Sequence, residues 1–197
     1  YRMGMYHSAL GQFSRILAVG PSNNRFFKTS LEWLFFVSRK TVNEQVVLDE
    51  IARYANAEFP DRFKNEFRYL LARYCLVRAR ALDQVGQKSE ANQSYGEVKR
   101  LVLMIPKGDA FYARGKYLEG LSYFREEKLP QALEIMKTVV RETRIPPGPV
   151  TTEIKATRAL RELAFMQLAR THYGARQNRN ALYYYGKVER GSPQWLE

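Results

Sequence analysis

A-R-G-K-Y-L-E-G-L-S-Y-F-R-E-E-K-L-P-Q-A-L-E-I-M-K-T-V-V, residues 113–140, decides the fold. Two apolar runs flank a polar turn. In the first, Tyr117, Gly120 and Tyr123 stand three apart; in the second, Ala132, Met136 and Val139 follow at four and three, with Leu133 and Ile135 beside them. Both are helical periods. Gly120 and Ala132 are the small residues on facing sides, so two antiparallel helices can approach closely and still house Tyr123 and Met136. Pro130 falls in the first turn of the second helix, where its missing N–H does no harm. Such a pair cannot bury its second face alone, which predicts neighbours of the same kind.

The pattern recurs. Leu168, Ala169, His172, Ala181, Tyr185, Val188 and Pro193 repeat it in register, and Ala79, Leu82, Gly86, Ala91, Tyr95, Val98 and Pro106 repeat it more loosely. Only the second half stands at the start of the chain, as Ala9, Leu10, Phe13, Ile16 and Pro21. The interval from Ala9 to Ala91 is twice that from Ala91 to Ala132, which leaves room for one degenerate unit.

This register resembles the tetratricopeptide repeat, with Gly120, Tyr123, Ala132, Met136 and Val139 in its key slots, Met136 replacing the usual aromatic, and Pro146 closing the repeat late. The late proline predicts a longer second helix. The resemblance implies an all-α fold, a right-handed α-α superhelix of about nine to eleven antiparallel helices. The expected units are 1–21 (the second half of a repeat), 26–56 (a degenerate repeat), 62–106, 110–146, and 151–193 with an extended first helix. They form a single solenoid over 1–197. Because the chain opens on Tyr1 inside a repeat and S-P-Q-W at 192–195 looks like the start of another, a piece of a longer protein is expected.

In chain order the periodicity predicts helices over 1–19, 26–39, 44–56, 62–85, 90–104, 110–126, 130–144, 151–175 and 179–190. Residues 21–24 stop the first helix, Asn43 is placed to cap the third, and a turn is expected at 59–61. Nearly every face of 26–39 carries a large apolar residue, so Trp33 and Phe36 either pack centrally or form a second contact site for a partner. The I-P-P-G-P run at 145–149 reads as a stiff loop, because the helical register resumes beyond it.

The chain is 45% hydrophobic over 197 residues, ample for a core. No run reaches the length of a membrane span, and no signal peptide is present. One cysteine, Cys75, excludes an internal disulfide or cysteine metal cluster and reads as a buried helical thiol. His7 and His172 stand in different repeats. There is no H-E-x-x-H, C-x-x-C or glycine-rich phosphate loop, so neither a catalytic nor a metal-ligating residue is assigned and no cofactor is expected. Asp83 and Asp109 read as turn residues, His172 as a packed core residue, and the Glu126-Glu127 pair as a solvated helix end. The formal charge of +12 is spread over the helices and carried mostly by arginine, which points to an acidic or phosphate-bearing partner.

The resemblance also implies where a partner binds, since in that family the first helix of each pair lines the concave wall. Carried over residue by residue, the exposed slots are Arg73, Leu76, Arg80, Asp83 and Gln84, then Arg114, Tyr117, Leu121, Phe124 and Arg125, then Leu163, Met166, Arg170, Tyr173 and Gly174. Arg73, Arg80, Arg114, Arg125 and Arg170 interleaved with Tyr117, Phe124 and Tyr173 fit an acidic peptide or protein segment. The asparagines that chaperone-tail-binding members use to hold a terminal carboxylate are missing. The implied function is a non-enzymatic interaction scaffold. Binding of nucleic acid or another anionic polymer through the same Arg/Tyr groove is the alternative. Y-x-R-G-K-Y-L-E-G-L-S-Y and V-x-R-x-S-P are similar to stretches of bacterial envelope repeat proteins, which implies a periplasmic or outer-membrane-associated parent, with the cytoplasm as the alternative. The parent could carry a membrane anchor, although this segment does not insert.

Overall fold

The computed structural model describes residues 5–20, 25–38, 44–54, 61–145 and 147–192. The stop at 21–24, the Asn43 cap, Ala55, the turn at 59–60, Pro146 and the run from Pro193 onward lie outside them, as do the side chains of His7, Val47 and Leu48. Within the described residues the chain is all-α, with nine helices and no strand: α1 (Tyr6–Ala18), α2 (Phe27–Ser38), α3 (Glu44–Arg53), α4 (Asp61–Gln84), α5 (Lys88–Leu103), α6 (Tyr112–Arg125), α7 (Leu129–Glu142), α8 (Thr152–Gly174) and α9 (Asn178–Tyr185).

Each helix packs on the next, and α4, α6 and α8 also touch one another in sequence. Three of the connections are the same turn. Gly86, Glu127 and Arg176 adopt left-handed backbone, with φ of 81°, 59° and 57°. In each turn the next amide reaches back over the helix end: Gln87 N–H to Leu82 O, Lys128 N–H to Tyr123 O and Gln177 N–H to His172 O, all at 2.9 Å. That bond satisfies a carbonyl the helix end would otherwise leave open. Five residues after each left-handed residue comes an alanine, Ala91, Ala132 or Ala181, which is 1%, 0% and 2% exposed. The facing small residues Ala79, Gly120 and Ala169 are also buried.

A β-carbon built on Gly120 would stand 2.7 Å from Met136 Cε and 3.2 Å from its Sδ. Glycine is thus what lets Met136, fully buried, cross the α6–α7 interface. Gly115 performs a milder version of the same service one interface earlier, 3.3 Å from Val102 and Ile105 side-chain atoms. Thr151 caps α8, its Oγ1 accepting from Ile154 N–H at 3.2 Å, so the 145–149 run is a loop and the helix restarts cleanly beyond it. Arg161 ties that restart to α7 by donating to the Val140 carbonyl.

Two helix ends differ from expectation. The late Pro146 does not lengthen α7, which stops at Glu142. The last helix, expected over 179–190, ends at Tyr185; Gly186 follows, and the chain continues in turns closed by Lys187 N–H to Tyr184 O (3.0 Å) and Val188 N–H to Tyr185 O (3.1 Å).

The cores differ along the chain. Toward the N-terminus, Leu10, Leu17, Leu31, Leu34, Val37 and Ile51 gather with Phe63, Phe67 and Leu70 from the first half of α4. A chain of rings runs through this cluster: Phe13 stacks on Trp33 (5.9 Å, 10°), Trp33 meets Phe36 (5.3 Å), and Phe36 meets Phe63 edge-on (6.1 Å, 81°). From Ala72 onward the interfaces are built on alanines and valines, with Tyr95, Met136 and Leu168 as the large fillers.

Candidate peptide-binding face

The side-by-side packing of α4, α6 and α8 brings the first helices of the successive pairs onto one face. On α4, Arg73 and Arg80 are seven residues apart, two turns, and therefore on one side. On α6, Arg114 and Arg125 are eleven apart, three turns, with the same consequence.

The structure joins the first arginine of each helix. Arg73 lies over the Tyr69 ring, Cζ to centroid 5.7 Å, and Arg114 over the Phe111 ring at 5.6 Å. The two rings face each other at 5.4 Å and 33°. Tyr69 and Phe111 thus form one aromatic bed under two guanidinium groups, a favourable arrangement for cations held partly away from water. Burial lowers the Arg73 pKa, and the positive charge of Arg114 lowers it further. Burial raises the Tyr69 pKa, and Arg114 opposes the rise. The bed is held from behind: Asn65 Nδ2 donates to Asp109 Oδ2 at 2.7 Å, while Asp109 Oδ1 accepts from Phe111 N–H at 2.8 Å. Asp109 is therefore a turn residue with a positioning task.

The second arginines converge on Tyr95. That ring is 1% exposed. Burial raises its pKa, Asp83 pushes the same way, and Arg125 and Arg80 oppose. The hydroxyl stays protonated at neutral pH and remains a donor. Neither it nor the buried Arg80 Nε–H meets an acceptor among the described residues, although buried donors are normally bonded.

Glu126 corrects the expectation of a solvated helix end. Its side chain is only 8% exposed, gripped by Lys99 at 2.6 Å and Lys128 at 3.3 Å, while Lys99 also sits over the Tyr123 ring at 4.8 Å. On the same helix Glu119 is held by Lys116 at 2.8 Å. Lysines thus occupy both of these α6 carboxylates, which leaves the nearby arginines unneutralised by them.

Two of the slots expected on the surface are not there. Leu76 and Met166 are buried, and Tyr117, at the equivalent position of its repeat, is half-buried against the third core cluster. In all three pairs this position is covered by packing against neighbouring helices. Phe124 is half-buried, and Arg170 and Tyr173 are exposed on the last turns of α8. Trp33 and Phe36 are half-buried in the N-terminal ring chain, away from the arginines. Tyr69, Phe111 and Tyr95 were not picked out as site residues by the sequence pattern. A local signal existed, since Tyr69 precedes Arg73 by four and Phe111 precedes Arg114 by three, the helical spacing that lays a cation on a ring.

Chemistry of other kinds finds little footing. His172 is buried, its Nδ1 2.6 Å from Gln177 Oε1 and its ring stacked on Tyr184 at 5.4 Å and 7°. Burial pushes the Cys75 thiol up to about 11, far from a reactive thiolate. Among the described residues no group of His, Cys, Asp and Glu has metal-site geometry, and no helix is long and apolar enough to cross a membrane. No protein-family model, no curated protein and no solved structure matches the chain.

Proposed function

We propose that this chain is a non-enzymatic protein-interaction module, a right-handed α-α superhelix of the tetratricopeptide kind, that binds an acidic peptide segment of a partner across α4, α6 and α8. Recurrence of one turn geometry at Gly86, Glu127 and Arg176 supports the superhelix. The observation that carries the binding function is the set of arginines. Arg80, Arg114 and Arg125 have no carboxylate partner among the described residues, while Glu119 and Glu126 are already held by lysines. A guanidinium without a protein acceptor is ready for a bidentate bond to a carboxylate. In a bacterial envelope complex, periplasmic or outer-membrane-associated, such a module would recruit or position partners.

The test is the double reversal Arg80→Glu with Arg125→Glu, titrated with a glutamate-rich peptide. We expect an intact melt and binding weaker by about tenfold or more, the scale of one lost charge-assisted contact. Unchanged affinity refutes the assignment.

A second function, binding of single-stranded nucleic acid, has one observation in its favour. Residues 163–188 contain Arg170, Arg176, Arg179 and Lys187 but no Asp or Glu, and Tyr173 and Tyr183 are 66% and 58% exposed. Salt separates the two. A phosphate binder loses affinity steeply with salt for any nucleic-acid sequence, whereas a peptide face discriminates between peptides and responds to Phe124.

A further inference from the structure

We propose that the α4–α6 face reads two acidic side chains at a fixed separation, four residues apart in an extended peptide, through two arginine rungs: Arg73 with Arg114, and Arg80 with Arg125. The spacing rule rests on the peptide-binding function proposed above and narrows the ligand to one pattern.

Each rung has its own structural support. The first is laid on the Tyr69–Phe111 bed, both guanidinium carbons within 5.7 Å of a ring centroid. Two like charges brought together over aromatic faces favour an anion between them. The second surrounds the Tyr95 hydroxyl, where that buried donor and Arg80 Nε–H both meet no acceptor among the described residues. A carboxylate brings the acceptors such donors need. Arg125 stands free to close on it, because Lys99 and Lys128 already hold the neighbouring Glu126.

The separation follows from helix geometry. Seven residues along α4 and eleven along α6 correspond to about 10 Å and about 16 Å at the α-helical rise. The middle of that range, about 13 Å, is the reach of four residues of extended chain at about 3.3 Å each. An even offset also keeps both side chains on one face of the strand. A helical ligand covers about 13 Å only in about nine residues, which carries the second side chain to the opposite side. Carboxylate is favoured over phosphate at the second rung, since Asp83 already acts on the same hydroxyl and a dianion would face its repulsion.

The experiment uses the full chain and capped Ser/Thr peptides carrying two Glu residues at offsets of two, four or six, with a double-Gln control, read by fluorescence polarisation at constant ionic strength. The offset-four peptide is expected to bind about tenfold tighter than its siblings. Arg114→Gln and Arg125→Gln, both exposed positions, should each erase that preference while leaving the melt unchanged. Equal affinities across the offsets, still dependent on the arginines, overturn the spacing rule and leave the peptide-binding face standing. Tighter binding by a phosphoserine version, or by a helical peptide with an offset of seven, also overturns it. No binding by any peptide of the series removes both the rule and the face.

Discussion

The first half of α4 packs on rings and the second half on alanines. Phe63, Phe67 and Leu70 look toward Phe36, Trp33 and Phe13, while Ala72, Leu76 and Ala79 look toward Ala91, Tyr95 and Val98. The two solutions differ in what they tolerate. A ring-filled interface holds its helices apart and is stabilised by the volume of each ring, so it is weakened by taking atoms away. A small-residue interface brings backbones together and is weakened by adding atoms. Close approach also has a consequence for function: α4 and α6 come near enough for Arg73 and Arg114 to act on each other, and for Arg80 and Arg125 to act on one tyrosine. In the aromatic half the large side chains are spent on packing, and Trp33 and Phe36 serve the core there.

The harshest way to break this contrast is Ala132→Arg. The site is 0% exposed and faces Gly120 across α6–α7. A long cation there has neither room nor a partner, and a loss of more than about 4 kcal/mol is expected, the scale of a buried unpaired charge. Helical signal over α6–α9 should melt early or be lost; an unchanged cooperative melt contradicts the packing described. The complementary change is Phe13→Ala in the ring-filled core. It removes the ring stacked on Trp33, and a loss of about 2 kcal/mol fits a half-buried phenylalanine. Trp33 emission should shift to the red as water reaches it. A blue or unchanged emission would show that the rings are not a packed chain.

Between these lies Gly120→Ala. Alanine gains up to about 1 kcal/mol of helix propensity over glycine, but its β-carbon would press on Met136, and overpacking a fixed core costs about 1–3 kcal/mol. Met136 is fully buried and has little space into which to swing. A net loss of about 1 kcal/mol is expected, recovered when Met136→Leu withdraws the thioether end. A gain in stability for the single variant would mean that α6 and α7 are less closely apposed. Gly115→Ala, where the nearest side-chain atoms are 3.3 Å away, should fall near zero.

Which parts could be read from the chain follows from how local they are. Gly120, Ala132, Ala169 and Ala181 were legible because they recur at fixed offsets, and all four are buried. Leu76 and Met166 were misplaced because the slot taken as solvent-facing is covered by a helix far off in sequence, which periodicity within one helix does not register. Glu126 looked solvated beside Glu127 in a polar turn; its partner Lys99 arrives from α5, 27 residues earlier. The Tyr69–Phe111 bed joins two helices in the same way, and only its local halves, each a ring one turn before an arginine, were in view. The end of α9 was overrun because K-V-E-R after Gly186 continues a helical composition, whereas the chain tightens there into turns.

The gentlest probe is Glu127→Gly, and it tests whether the small-residue half is a true repeat. Glu127 and Arg176 occupy the left-handed position that Gly86 occupies in the preceding pair. A non-glycine residue in that region costs about 1–2 kcal/mol, and glycine relieves it while adding about 0.5–1 kcal/mol of unfolded-state freedom. The balance is a gain of about 0.5 kcal/mol, which for a chain of this size raises the Tm by about 1–2 °C. Arg176→Gly should do the same, and since the two turns lie in separate pairs their gains should add. Gly86→Ala, with φ at 81°, should move the other way. Agreement among all three would make the turns interchangeable units. A loss at either Glu127 or Arg176 would instead mean that its side chain holds the turn, and that the pairs are alike in outline only.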